Sequence, residues 1–345
     1  MKIESIQTQV KHIALKTPFI TALRRVEAIE FVRVCVVCDN GVSASGEAPS
    51  TMAITGENIE IILDSISKIK DNIYGLNIED ALRLLHNSKI GSSAKAALDM
   101  ALVSLRAKEQ NKTLLEYFNI KDITPIKTDI TISLNQEEIM LEDAQRAFKS
   151  GMDILKIKLG PDISHAINVT QRVSINLPNV KLLIDANQAW SRDATLHYIN
   201  AIKDLRVELI EQPVVANDLE GLKLITNATK TSILADEASF TLEDVVRVVE
   251  SNSADMINIK LMKCGGVSKA VEILEYAREK EVKCMLGSML EGPYSINAAL
   301  YLAFAYRDVI EYVDLDSPLL YKEESVELDF SFDKATIFYL GPRAS

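Results

Sequence analysis

Cysteine is scarce in this chain, with four residues in 345. Cys35 and Cys38 share one strand-like segment, where a three-residue step turns their side chains to opposite faces. All four read as buried thiols rather than zinc ligands or disulfide partners. Histidine is equally rare, and His12, His86, His165 and His197 fall away from the predicted strand ends, so none is given a role. Glycine and proline number only 13 and 9, and with 48% hydrophobic and 25% charged residues nothing points to a disordered tract. Positive charge is in deficit: the net charge is −11 and no Lys/Arg cluster forms a basic face, which argues against a nucleic-acid partner. No apolar run reaches bilayer length, and Met1–Ser5 lacks the basic and apolar regions of a leader. The expectation is a cytoplasmic protein with no membrane partner, compatible with a homo-oligomer.

What the chain does have is a regular step. Thr131, Lys158, Asp185, Glu211, Asp236, Lys260 and Asp314 end apolar runs at intervals of 27, 27, 26, 25, 24 and 54 residues, the last being two steps. One strand, one helix and two short loops fill such a step. Eight steps close a barrel whose reactive face lies at the C-terminal strand ends, where these residues fall. The predicted strands are 128–133, 154–159, 181–187, 207–211, 232–237, 256–261, 283–288 and 310–316, with helices such as 138–150 and 267–280 between them. Before them, residues 2–16 and 27–38 read as strands joined to a third by an Asn40-Gly41 hairpin signal, and 56–119 reads as helical. The fold class is therefore α/β: a (β/α)8 TIM-type barrel over 121–320 behind an α+β domain over 1–120. The alternating Leu328-Asp329-Phe330-Ser331-Phe332 in the 321–345 segment predicts a strand that leaves the barrel and returns to the N-terminal domain.

Asp185, Glu211 and Asp236 end three consecutive strands, so their carboxylates can converge at the barrel mouth. An acid alone is usually solvated, but three at equivalent positions repel one another unless a cation holds them. An all-oxygen set suits Mg²⁺, with Mn²⁺ as a substitute. Lys156 and Lys158 share one face of the second strand, with Lys156 expected to meet the substrate, and Lys260 ends the sixth, across a ring of eight. A strand lysine can simply snorkel to solvent. An opposed pair has a sharper use: one amine takes a proton from one face of a carbon and the other returns a proton to the opposite face, inverting the centre. To serve as base Lys158 must shed its proton, and Lys156 and a bound cation both disfavour a second positive charge beside them. Asp314 and Asp316 share a face of the eighth strand, opposite the metal. They could take an ammonium group about 7 Å from a metal-bound carboxylate, the reach of two extended residues. They could also cap the loop before Pro318.

These residues resemble the enolase superfamily, its muconate lactonizing enzyme subgroup, and within that the dipeptide epimerases. The resemblance runs over nearly the whole chain through Lys156-Ile157-Lys158, Asp185-Ala186-Asn187, Glu211-Gln212-Pro213, Asp236-Glu237 and Asn258-Ile259-Lys260 followed by Gly265-Gly266. It implies that the first 120 residues are a capping domain whose loops at about 17–28 and 45–56 close over the mouth, that Asp314 and Asp316 hold a substrate ammonium, and that the substrate is a dipeptide. It also likens Arg24 to an arginine that meets a glutamate side chain, and Thr131 to a residue near the substrate backbone. Either could equally be a solvated loop residue or an ordinary strand threonine. Asn187, Glu237 and Asn258 stand as groups that orient carboxylates and lysines, although both asparagines also suit strand-end turns. Val103 and Ser104 depart from the family's Trp and Asp in the capping helix.

The resulting expectation is a Mg²⁺-dependent epimerase acting on the α-carbon of a dipeptide's C-terminal residue, L-Ala-D/L-Glu favoured. Two rivals stay open: a lyase or cycloisomerase of the muconate cycloisomerase or succinylbenzoate synthase kind, and a noncatalytic dipeptide-binding barrel.

Overall fold

The computed structural model describes residues 1–20, 25–323 and 327–342. Strands β1 (Ile3–Ile20), β2 (Arg25–Cys38) and β3 (Ser43–Pro49) form an antiparallel sheet in that order. The β1–β2 ladder extends to Phe19↔Val26 and Ile20↔Arg25. The described parts of the segment expected as a loop over 17–28, residues 17–20 and 25–28, are thus strand, because these pairs prolong the β1–β2 ladder past the register shift at Ala14. The second expected loop, 45–56, is strand to Pro49 and then a short helix, Met52–Thr55.

Helices Ile59–Ile73 and Ser92–Glu109 pack on this sheet, and Ile78–Asn87 packs against both helices. Ser92–Glu109 is buried nearly all round, and its Ala97 carbonyl comes so close to β3 that a Cβ on Gly46 would lie 2.1 Å from it. Small residues on both sides permit that approach.

After β4 (Ile126–Lys127) come eight parallel strands in sequence order: β5 (Ile130–Ile132), β6 (Ile154–Lys158), β7 (Lys181–Asp185), β8 (Val207–Glu211), β9 (Ser232–Ala235), β10 (Met256–Ile259), β11 (Lys283–Gly287) and β12 (Ile310–Asp314). The ring closes between β12 and β5 where Asp129 N donates to Val313 O at 3.2 Å and Leu315 N to Thr128 Oγ1 at 3.1 Å. This is the expected (β/α)8 architecture. Its inward face carries a separate apolar plug of Leu183, Leu209, Leu234, Met256, Met285 and Tyr312. Two residues further along each strand, on the same face, stand Asp185, Glu211, Asp236, Asn258, Gly287 and Asp314. The plug fills the floor and leaves the polar row at the mouth.

The C-terminal segment touches the N-terminal sheet first, through the Leu15↔Tyr321 bridge and the Arg33–Glu327 ion pair. It then forms a hairpin of β13 (Phe330–Asp333) and β14 (Thr336–Tyr339) that pairs with β4. The four cysteines are free, Cys38 and Cys284 buried and Cys35 and Cys264 half-buried. Among the described residues no helix is long and apolar enough to cross a membrane.

Candidate active site

Strand order sets the geometry at the mouth. Between β6 and β10 lie three strands in either direction around the ring, and the same holds between β8 and β12. Lys158 therefore stands across the barrel from Lys260, and Glu211 across from Asp314. Both lysines line one cavity of about 60 Å³, together with Thr131, Asn187, Asp236, Ser288, Asp314 and Asp316. Phe19, Ala53 and Ile54 from the N-terminal domain close its outer side, and Met289 and Leu290 from the loop after β11 complete the wall. Lys156, Asp185, Glu211, Glu237 and Asn258 are buried behind the lining rather than on it. Arg24 lies outside the described residues.

Amines and carboxylates interleave. Lys156 Nζ lies 2.6 Å from Glu211 Oε2, 2.7 Å from Asp314 Oδ2 and 3.2 Å from Asp185 Oδ2, so it ties the two acidic sides of the barrel together. Lys158 Nζ donates to Asp185 Oδ2 at 2.5 Å and Lys260 Nζ to Asp236 Oδ2 at 2.7 Å. Burial opposes charge on Asp185, yet Lys158, Lys156 and Lys260 outweigh it and hold the carboxyl well below the usual range. Asp236 is held low in the same way against burial, by Lys260, Lys263 and Lys156. For Glu211, burial and the neighbouring Asp185 prevail over Lys156 and push it up to about 8. Burial works against the charge on Lys260, but Asp236 and Glu211 keep its proton bound more tightly than in an ordinary lysine. On the far side burial also opposes charge on Asp314, which Lys156 holds low, while burial and Asp314 raise Asp316 to about 6.

Supporting bonds fix the carboxylates. Asn258 Nδ2 donates to Glu211 Oε1 at 2.8 Å, Asn187 N to Asp185 Oδ1 at 2.9 Å, and Asn187 Nδ2 to Glu237 Oε1 at 3.4 Å. Thr131 N donates to Asp316 Oδ2 at 2.8 Å. Gln212, at φ 37°, turns the chain after β8 and accepts from Asp236 N and Ala238 N at 3.0 Å each, which braces the ends of β8 and β9 together.

Two residues escaped the sequence reading. Lys263, one helical turn past Lys260, is buried and donates to Asp236 Oδ1 and Asp236 O at 2.6 Å and to Asn258 O at 2.8 Å. Asp129, two residues before Thr131 on the same face, brings a carboxylate oxygen within 4.8 Å of oxygens on Asp314 and Asp316, a cluster able to hold a cation. Burial, then Asp314 and Asp316, raise Asp129 far above the usual carboxylate range. The alternation of Asp129 with Thr131 was the signal for one, and nothing periodic marks the other.

The donor set around β7 to β10 suits a hard cation. It contains only oxygen, and Glu211 Oε2, Asn187 Oδ1, Glu237 Oε2 and Asn258 Oδ1 are buried without a hydrogen-bond partner among the described residues. Glu211 Oε2 does meet Lys156 as an ion pair, although the contact is not aligned as a hydrogen bond.

Residues 3–118 match the mandelate racemase / muconate lactonizing enzyme N-terminal domain family and residues 139–338 the enolase C-terminal domain-like family. The chain belongs to the enolase superfamily. Within the superfamily it is closely related to dipeptide epimerases. It is 59% identical over 338 residues, 98% of this chain and 99% of the relative, to the L-amino acid-D/L-Glu epimerase of Sulfurimonas denitrificans. A substrate-liganded L-Ala-D/L-Glu epimerase from Bacillus subtilis superposes with a TM-score of 0.94 at 38% identity, covering 99% of this chain and 97% of that one. A dipeptide epimerase from Enterococcus faecalis, complexed with Mg and L-Leu-L-Tyr, gives 0.93 at 33%, covering 100% and 98%. This kinship supports a divalent-metal cofactor in this superfamily member. Among the described residues the acids whose oxygens lie close enough to share one ion are Asp129, Asp314 and Asp316; the oxygens of Asp185, Glu211 and Asp236 do not form such a group, and Lys156, Lys158 and Lys260 pair with them instead.

Proposed function

We propose that this protein is a Mg²⁺-dependent dipeptide epimerase that inverts the α-carbon of the C-terminal residue, with L-Ala-D/L-Glu as the favoured substrate. The observation that carries the reading is the opposition of Lys158 and Lys260 across one cavity with acidic groups at both ends. Names borne by relatives of the chain point to the same substrate class. Asp185, Glu211 and Asp236 would hold the cation, Mg²⁺ or Mn²⁺. Bound there, it would take the substrate's C-terminal carboxylate and acidify the adjacent carbon.

The chain's own groups do the rest. One lysine removes the α-proton and the other delivers a proton to the opposite face. Asp314 and Asp316 receive the N-terminal ammonium, with Asp316 aligned by Thr131 and Asp129 buried as a third acid at that end. Lys156 fixes the spacing between the two ends through its contacts with Glu211 and Asp314. Asn258 and Asn187 orient Glu211 and Asp185, and Glu237 supports Asn187. Arg24 is assigned to the substrate's side-chain carboxylate. Residues 1–120 act as the cap, 121–320 as the catalytic barrel and 321–345 as a tail that links the two. Phe19, Ala53 and Ile54 of the cap exclude water from the reacting carbon. Four free thiols suit a cytoplasmic setting, where the reaction would serve recycling of cell-wall peptides.

Incubation of L-Ala-L-Glu in D₂O with the protein and Mg²⁺ tests the proposal. Deuterium should enter the glutamate α-position while L-Ala-D-Glu accumulates. Tight dipeptide binding without exchange would favour a noncatalytic barrel, and inert dipeptides with turnover of another carboxylic acid would favour a lyase or cycloisomerase.

A further inference from the structure

Beyond Lys260 the chain does something its local sequence does not account for. The short helix Leu261–Cys264 ends at Gly265 with φ 92°, and Gly266 follows with φ 119° and ψ −171° to open the helix Val267–Glu279. That second conformation is open almost only to glycine. Gly266 brings no side chain to satisfy the new helix's first amides. The acceptor comes from the other domain. Asp99, fully buried on Ser92–Glu109, accepts from Ser268 N through Oδ1 at 3.0 Å, while its Oδ2 pairs with His86 Nε2 at 2.8 Å. A Cβ on Gly266 would lie 2.5 Å from Asp99 Oδ1, so the carboxylate occupies the space that the glycine leaves.

The segment gripped in this way is the one that carries Lys260. Lys260 O accepts from Lys263 N at 3.0 Å and Cys264 N at 3.2 Å, and Leu261 O accepts from Gly265 N at 3.0 Å and Gly266 N at 2.9 Å. Backbone hydrogen bonds therefore hold together the short segment from Lys260, whose amine faces the cavity, to Gly266, which is pressed against Asp99. Lys158 is held otherwise, within β6 between the ladders to β5 and β7. An anionic acceptor at a helix N-terminus satisfies an orphan amide and complements the helix dipole at once.

We propose that Asp99 is a positioning residue for Lys260: a cap-domain carboxylate that fixes one of the two proton-transferring amines and leaves the other untouched. This rests on the two-lysine reading above. Each amine serves one face of the α-carbon, so one diastereomer of the dipeptide yields its proton to Lys158 and the other to Lys260. Loosening the Lys260 segment slows exchange from one diastereomer selectively, whereas a general loss of folded protein slows both alike.

The test is α-hydrogen exchange in D₂O with Mg²⁺, run separately from L-Ala-L-Glu and L-Ala-D-Glu, for wild type, Lys260→Ala, Asp99→Ala and Asp99→Asn. Lys260→Ala identifies the diastereomer that depends on Lys260. Asp99→Ala should slow that one about tenfold more than the other, in keeping with the cost of displacing a catalytic group. Asp99→Asn keeps an oxygen for Ser268 N–H and should recover most of the rate, leaving an asymmetry of about twofold in the same sense. Equal slowing of both diastereomers, or asymmetry opposite to that of Lys260→Ala, overturns the proposal. If Asp99→Ala does not fold, equal rates in Asp99→Asn overturn it. A wild type that exchanges neither diastereomer removes the two-lysine reading itself, an outcome distinct from symmetric slowing.

Discussion

Each amine assigned to proton transfer is held by a carboxylate assigned to the cation: Lys158 by Asp185 and Lys260 by Asp236. A change at either lysine should remove one half of the reaction. Lys158→Ala and Lys260→Ala are each expected to lower inversion by about 10²–10⁴-fold, the usual contribution of a positioned acid or base, while exchange persists from a single diastereomer in each. Proton NMR follows both quantities in one sample, and wild-type inversion in either variant would remove the two-base scheme. These lysines and their acidic partners were legible because strand alternation and the constant step put them on one face at one height. Asp129 obeys the same alternation and could have been read from it. Lys263 could not, because its function depends on a carbonyl of Asn258 and a carboxylate of Asp236, 5 and 27 residues away, that come together only when the ring closes.

Among the described residues, three helices start at a glycine and take their first acceptor from a distant carboxylate. Ser92–Glu109 is capped by Glu57, which accepts from Ser93 N at 2.8 Å and Ala94 N at 3.2 Å, and Val267–Glu279 is capped by Asp99. Pro293–Ala305 is capped by Glu47, which accepts from Tyr294 N at 2.9 Å. Their partners are 36, 169 and 247 residues apart, so no local capping signal announced them. Helices with their own Asn, Thr or Asp caps, such as Ile78–Asn87 behind Asn77, follow the local pattern. The first of the borrowed caps gives a clean stability test, since Glu57 lies outside the cavity lining. Glu57→Ala should cost about 1–2 kcal/mol by stranding two buried amides, read as a lower thermal midpoint. An unchanged midpoint would show that water satisfies those amides equally well.

For the molecule as a whole, the barrel was readable from its repeat, but the way the two domains lock together was not, since it depends on single side chains with no periodicity. Glu47 is the clearest case. It is fully buried on β3, accepts from Arg33 Nε at 2.8 Å, and reaches the helix that follows the Ser288–Leu290 wall of the cavity. Arg33 in turn grips Glu327 with two hydrogen bonds, at 2.6 and 2.7 Å, and stacks on Tyr294. Burial raises the Glu47 carboxyl from 4.5 to about 7, with Arg33 and the Tyr294 amide opposing the rise. Glu291, buried in the same region, is likewise pushed up to about 7, by burial first and by Glu47 among its neighbours. The sign follows from which state holds the proton. Between about pH 4.5 and 7 the folded protein keeps a proton on Glu47 that the unfolded chain has released, so this stabilisation is complete below pH 4.5 and gone above about pH 7. Across that window one such group changes stability by about 1.4 kcal/mol per pH unit. Glu47→Gln cannot ionise and should flatten the decline by about one proton, more if the loss of its charge also lowers Glu291. Denaturation at about pH 5 and pH 7, at fixed Mg²⁺, compares the two slopes. Parallel slopes for wild type and variant would mean that Glu47 is ionised across the whole range, and that the interface between the domains is held by a permanent charge pair with Arg33 rather than by a group that titrates near neutrality.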